Sequence, residues 1–445
     1  MLRLAIPIVV TQLGQMLLGT IDTVIGGRLS VRALDAVALG NVWEVGTIVP
    51  MIGIVMGLDP LVSQAVGAGR GMEAGRGLQR ALLISLALSL PVIAAWSYTA
   101  EGLMLLGQDP ELAELAAEFV RIQRFSVPGF LAYNALQVFM VSRGVTRPGI
   151  VVMALANVFN LAAGWTLTFG GLGVPPLGVH GLGLATALTR LFLPLTLAGL
   201  IFGLRLHVGA WAPWGRAVFD RAALRTQLAL GLPNGLTLAL ELWAFQFGTV
   251  VAGRIDHVSL GAHAIALNVS ALSFMVPLGF SIGTSARVGQ LIGANEPERA
   301  QRAAQTALQL IACYSLSAGV LFVLGRHWLP ALYTGDAAIL AVAASVMPIT
   351  GAFQLVDGLQ AAASGVLRGM GRPRVTLVFN LVGYFALAIP LAYYTALYTQ
   401  LRLRGVWLGY AAGLTFVAMG LVSQVLRKGP RTVKPIVPEA IVAPP

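Results

Sequence analysis

Charge is what this chain has least of. Only 11% of its 445 residues are Asp, Glu, Lys or Arg, against roughly 25% in an ordinary soluble domain. That scarcity excludes a water-soluble globule, because 57% hydrophobic residues and a mean hydropathy of +0.81 would leave large apolar patches in water. Cysteine is nearly absent too. Cys313 stands alone in an apolar run, which removes a disulfide framework or thiolate metal site and reads as a small packing residue. His-Glu-x-x-His, Gly-x-Ser-x-Gly and a phosphate-binding Gly-Lys loop are also missing. A membrane-embedded enzyme would therefore lack its nucleophile or metal constellation, and no cofactor is expected. The net charge of +11 is not laid out as a basic stripe with interleaved aromatics, so nucleic acid is not an expected partner.

What is present is a succession of apolar runs. A span needs about 20 apolar residues to cross roughly 30 Å of hydrocarbon. Twelve are expected, near 4–25, 36–60, 78–98, 119–141, 150–170, 180–203, 228–250, 263–286, 303–324, 338–366, 375–397 and 404–426. The first run carries Gln12, Gln15 and Asp22 and has no clear small-residue cleavage site, so it reads as a span and not a leader. Alternate loops carry Arg70, Arg76 and Arg80, then Arg143 and Arg147, then Arg205, Arg216, Arg221 and Arg225. The same set continues with Arg287, Arg299 and Arg302, then Arg368, Arg372 and Arg374, and a basic tail. The opposite loops hold fewer cations: Arg28, Arg32, Arg254, Arg326, Arg402 and Arg404. The excess of cations marks the cytoplasmic side, with both termini there, in the cell (inner or plasma) membrane. The outer loop before the fourth span is acidic at Asp109, Glu111, Glu114 and Glu118. It reads as a solvated helix face or as a rim that attracts substrate.

The chain also repeats itself. Thr23–Arg28 returns as Thr249–Arg254, Val62–Ala68 as Val288–Ala294, Arg143-Gly144 as Arg368-Gly369, and Gly178-Val179 as Gly405-Val406. Each half then has six spans, and an even number makes the halves parallel repeats, an arrangement of transporters. The expected fold is an all-α polytopic membrane protein of twelve transmembrane helices in two parallel six-helix repeats. Its parts are an N-terminal lobe over 1–204, a cytoplasmic linker over 205–227, a C-terminal lobe over 228–427 and a disordered tail over 428–445.

Acids inside these spans are the candidate functional groups. A central Asp costs roughly 2.5–3.5 kcal/mol even on the lenient insertion scale. Asp22, Glu241 and Asp357 stand in the first, seventh and tenth spans, so each needs a wet cavity, a partner or a bound cation. Helical spacing puts Gln15, Gly19 and Asp22 on one face, and likewise Asn157, Asn160 and Gly164. Asn234, Thr237, Glu241 and Gly248 share another, as do Gln354, Asp357, Ala361 and Ser364. Such stripes line a cavity or serve as interhelical hydrogen-bond glue. Glu44 could line the same cavity, with Trp243, Phe245, Phe274, Met275 and Phe353 as adaptable walls or as plain core. Arg190 is the main cation within the spans, and His180 and His263 read as packing near span starts.

Ordered within two repeated halves, several stretches resemble the multidrug and toxic compound extrusion (MATE) family. They are Asp22-Thr23, GLDPLVSQAVGAG over 57–69, Gly178-Val179-His180-Gly181, Glu241, QLIGAN over 290–295, Asp357-Gly358 and RGMGRP over 368–373. The resemblance implies a V-shaped, two-lobed, monomeric antiporter in membrane lipid. It would export bulky, often cationic or aromatic drug-like compounds in exchange for Na+ or H+. Glu241 with Asp357 resembles the cation-coupling pair of the NorM-type branch, and Asp22, Asn160 and Thr186 resemble the family's N-lobe cation site. Two positions depart from the pattern: Gly164 where an Asp or Asn is familiar, and Phe353 where a Tyr is. Fewer oxygens tilt the expectation toward protons. The nearest alternative is a flippase for a lipid-linked substrate, which would line its cavity with cations to hold a pyrophosphate.

Overall fold

The computed structural model describes residues 1–171 and 173–436. Among these the chain is helical, and twelve helices are long and apolar enough to cross a membrane. They are α1 (Leu2–Leu29), α2 (Val31–Gly67), α3 (Gly71–Ser97), α4 (Pro110–Ser142), α5 (Arg147–Phe169) and α6 (Gly178–Gly203). The second half contributes α7 (Arg221–Ile255), α8 (His257–Gly293), α9 (Pro297–Leu324), α10 (Ala337–Gly369), α11 (Pro373–Leu397) and α12 (Leu403–Arg427). All twelve coincide with the predicted spans, and most run further at one or both ends. Helix is the expected answer, because every backbone N–H and C=O in hydrocarbon must be satisfied within its own segment.

The ends are set by recognisable chemistry. Ser30, Asp109, Asp256 and Asp336 cap α2, α4, α8 and α10 by accepting from the N–H groups of Ala33, Leu112, Ser259 and of Ala338 and Ile339. These caps fall in the loops the sequence places opposite the arginine-rich set. There Arg32 pairs with Glu111, Arg402 with Asp256 and Arg121 with Glu114. Capping and ion pairing thus occupy much of the acidic stretch from Asp109 to Glu118, which forms the start of α4 and its exposed face. On the other side, Arg143 donates to the carbonyls of Leu206 and Val208, and Gln79 to that of Ala212. These bonds tie the stretch after α6 to α3 and α4.

The chain divides into two compact units. One comprises Val10–Leu58 and Arg70–Gly235, the other Met1–Val9, Asp59–Gly69 and Leu236–Pro445. The dividing points fall inside α1, α2 and α7, each near a helix irregularity: Pro7 in α1, the turn at Met56–Gly57 in α2, and Pro233 in α7. In the first unit α5 packs on α6, and α4 on α3 and α6. In the second, α10 is central, packed on α8, α9 and α12 around a core that includes Met347, Phe353, Tyr384, Trp407 and Tyr410.

Two expectations change. Cys313 lies on an exposed helix face, which in a membrane helix is compatible with lipid and needs no packing partner. The stretch after α12 is ordered further than its composition suggests: Pro430–Thr432 forms a 3-10 turn, Pro430 is buried, and Ile436 N–H donates to Gln64 Oε1 at 2.7 Å. Residues 437–445 of the predicted tail lie outside the described residues.

Candidate functional site

Both units bury acids within their membrane helices. In the first, Asp22 is 3% exposed. Thr186 Oγ1 on α6 donates to its Oδ2 at 2.9 Å, with the Leu182 carbonyl as a second acceptor. Asn160 Nδ2 on α5 approaches its Oδ1 at 3.3 Å and Thr189 Oγ1 at 3.4 Å. Asn160 Oδ1 is buried without a partner, so an acceptor remains beside the carboxylate. Three helices therefore bring Asp22, Asn160 and Thr186 together. Their spacing of 138 and 164 residues from Asp22 reveals none of this by itself.

Gly164 lets Ile25 pack against α5: a β-carbon there would stand 2.7 Å from Ile25 Cδ1, so a larger residue would require that side chain to move. Asn157, three residues before Asn160, donates to the carbonyls of Gly14 and Met153. It acts as glue between α5 and α1. Gln15 is half-buried on α1.

Glu44 does not join this cluster directly. It is buried on α2 and forms an ion pair with Arg190 on α6, Nη2 to Oε2 at 2.6 Å. The two are 146 residues apart, and the sequence offered no sign of the pairing.

In the second unit Glu241 on α7 is half-buried and Asp357 on α10 is buried at 5% exposure. The two are within electrostatic reach of one another. Tyr384 donates its hydroxyl to Glu241 Oε1 at 3.3 Å. It was not foreseen, since it sits inside a uniformly apolar run. Its stretch, Leu381–Ala388, is a π-helix within α11, a local widening found disproportionately at functional sites. Among the described residues neither acid has a basic partner. Phe353 is sealed in the core at 1% exposure, edge-on to Phe245 and Trp407. Phe353 is thus a packed core residue of the second unit. Phe274 and Met275 are half-buried on α8, and Trp243 is 51% exposed. None of these three touches the acids through a described contact. His263 is fully buried against Trp407. No group of three or more His, Cys, Asp or Glu suited to a metal ion occurs among the described residues.

The MatE family model matches residues 7–166 and 233–394, one stretch in each repeat. A probable multidrug resistance protein NorM of Bradyrhizobium diazoefficiens is 34% identical over 95% of this chain and 91% of its own length. Multidrug and toxin extrusion protein 2 of Mus musculus is 30% identical over 96% of this chain and 74% of its own. Among solved structures, the eukaryotic MATE transporter AtDTX14 superposes with a TM-score of 0.90 at 22% identity, covering 97% of this chain and 95% of that one. The match to the family in both repeats, and to these relatives along nearly the whole length, shows that the chain is a multi-pass membrane protein of the MATE family of multidrug and toxin extrusion transporters.

Proposed function

We propose that the protein is a secondary active antiporter that exports bulky, cationic or aromatic compounds in exchange for protons. The observation that supports it most is the pair Glu241 and Asp357. Two acids share one membrane-embedded cluster, with a single phenol and no basic partner among the described residues. Two such charges cannot rest together in a low-dielectric site unless a proton or metal cation neutralises at least one of them. A cationic compound competes for the same negative charge, and that competition is what exchange requires. One charge moving through 100 mV supplies about 2.3 kcal/mol, roughly a fifty-fold gradient of substrate at 1.36 kcal/mol per decade.

The choice of proton over sodium is supported by the oxygen supply. Sodium wants several oxygens, whereas a carboxylate alone takes a proton. Glu241 has the Tyr384 hydroxyl, and Asp22 has Thr186 and the free Asn160 oxygen. That is a thin ligand set for a metal. The cation-rich loops support cytoplasmic termini, with Arg216 on the same side and Glu111 on the other.

Proteoliposomes given a proton gradient alone or a sodium gradient alone test the reading directly. Ethidium movement driven by protons is the expected result. Movement driven only by sodium replaces the ion but keeps the antiporter; movement with neither gradient sinks the antiport reading.

A further inference from the structure

The first unit contains a cage for a cation, and its occupant is the chain's own guanidinium. Arg190 Cζ lies 5.1 Å from the Trp96 ring centroid and 5.3 Å from that of Phe130. Its Nη2 donates to Glu44 Oε2 at 2.6 Å. Trp96 is fully buried and held in place, its indole N–H donating at 2.8 Å to Thr47 Oγ1, about one turn along α2 from Glu44. Phe130 stacks on Tyr133. Aromatic faces with a carboxylate are the elements that recognise quaternary and aromatic cations.

Arg190 fills this cage incompletely. Glu44 Oε1 is buried with no hydrogen-bond partner, as are Arg190 Nη1 and the Tyr133 hydroxyl. An arginine and a carboxylate can meet through two parallel bonds, and here one of the two is unmade. A buried pair kept only for stability would be expected to satisfy every donor and acceptor, since each orphan is costly. The two partners also differ in access: the Arg190 side chain is 15% exposed and that of Glu44 2%. The guanidinium is the more accessible member. Arg190 follows Thr186 by one turn of α6, Thr186 donates to Asp22, and both Arg190 and Glu44 lie within electrostatic reach of Asp22.

We propose that Glu44, Trp96 and Phe130 form a binding site for hydrophobic organic cations, which Arg190 occupies until a substrate displaces it toward Asp22. This rests on the antiport reading and deepens it. Glu44 keeps one cation at all times, either its own arginine or the substrate. The displaced guanidinium brings a second positive charge to Asp22 and expels whatever cation that carboxylate holds. Substrate binding and ion release in the first unit then become one event, carried by a single side chain exchanging partners.

The test is binding of tetraphenylphosphonium to the purified full-length protein in nanodiscs, with neutral triphenylphosphine oxide as the uncharged control. Glu44→Gln is expected to weaken tetraphenylphosphonium binding about tenfold, while Arg190→Gln, by removing the internal competitor, tightens it by about the same factor. Neither variant changes binding of the neutral control. Arg190→Gln leaves a buried acid unpaired, so Arg190→Lys serves as a second probe. It keeps the charge but loses the planar stacking, and a smaller gain in affinity is expected. The double variant Glu44→Gln/Arg190→Gln buries no charge and is expected to bind the cation no better than the neutral compound. Opposite signs for the two single variants are the signature of displacement. Equal losses in both, or affinities within about twofold of the parent, would mean a purely structural pair and overturn the proposal. If the parent protein binds no tetraphenylphosphonium, the cationic-substrate reading falls and takes the cage with it.

Discussion

Asp22 in the first half has two hydrogen-bonding neighbours, Asn160 and Thr186, and an arginine close by that is already engaged with Glu44. Glu241 and Asp357 in the second half have one another, one tyrosine hydroxyl and, among the described residues, no arginine. The repeat makes this difference pointed. Thr23 and Thr249 stand 226 residues apart, and the same step carries Asp22 to Gly248 and Glu241 back to Gln15. The acids therefore do not occupy equivalent places in the two halves. The shared frame is the helix pattern, and each half has placed its own charge on it. The first half, with Asp22, Glu44 and Arg190, nets one negative charge. The second, with Glu241 and Asp357, nets two. That leaves the second half more dependent on a cation from outside the chain.

If that asymmetry governs transport, the second half is where substitution should cost most. Glu241→Gln and Asp357→Asn are each expected to bring gradient-driven export down to background, with the double variant scarcely worse than either, because groups acting as a unit are not additive. Export rates in proteoliposomes check this, and partial losses that add would divide the site in two. Asp22→Asn comes next. It removes charge but keeps the shape of a residue flanked by a threonine and an asparagine, so a severalfold loss of export is expected while the protein stays monodisperse. Normal export would confine coupling to the second half.

Gly248→Ala probes the comparison through packing. A methyl at 248 would overlap the Tyr410 hydroxyl, which donates to the Ala244 carbonyl at 2.6 Å. The forced shift is expected to cost about 1–3 kcal/mol of stability, seen as a lower melting temperature in detergent. An unchanged melting temperature would show that the second half yields easily at the position of Asp22. Tyr384→Phe removes only one bond, of 3.3 Å. Roughly 0.5–1.5 kcal/mol is at stake, and a threefold to tenfold drop in export is the expected readout. No change would leave the two acids as the whole of the second cluster.

The fold was legible for a physical reason: spans of this length and apolarity have few alternatives in a membrane, and the repeat fixes how many there are. The acids were legible because charge in hydrocarbon stands out one residue at a time. Partnerships were not. Nothing in the letters around Glu44 points 146 residues ahead to Arg190, and an aromatic such as Tyr384 inside an apolar run looks like any other core residue. The π-helical stretch that carries it has no composition of its own. Phe353 was left open between wall and core for the related reason that both positions accept the same side chains, and it packs in the core. The prolines after α12 suggested disorder, whereas the described part of that stretch is tied down at Ile436 by Gln64, from the other half.

Three helices belong to both compact units. The passages fall between Val9 and Val10, Leu58 and Asp59, and Gly235 and Leu236. Each crosses close to a break in its own helix: Pro7 in α1, the turn at Met56–Gly57 in α2, and Pro233 in α7. A proline has no N–H to give the carbonyl one turn back, so the helix is least stiff there. Asp22 follows Pro7 by about four turns and Glu241 follows Pro233 by about two. Each acid thus rides on a helix whose softest point lies on the same rod.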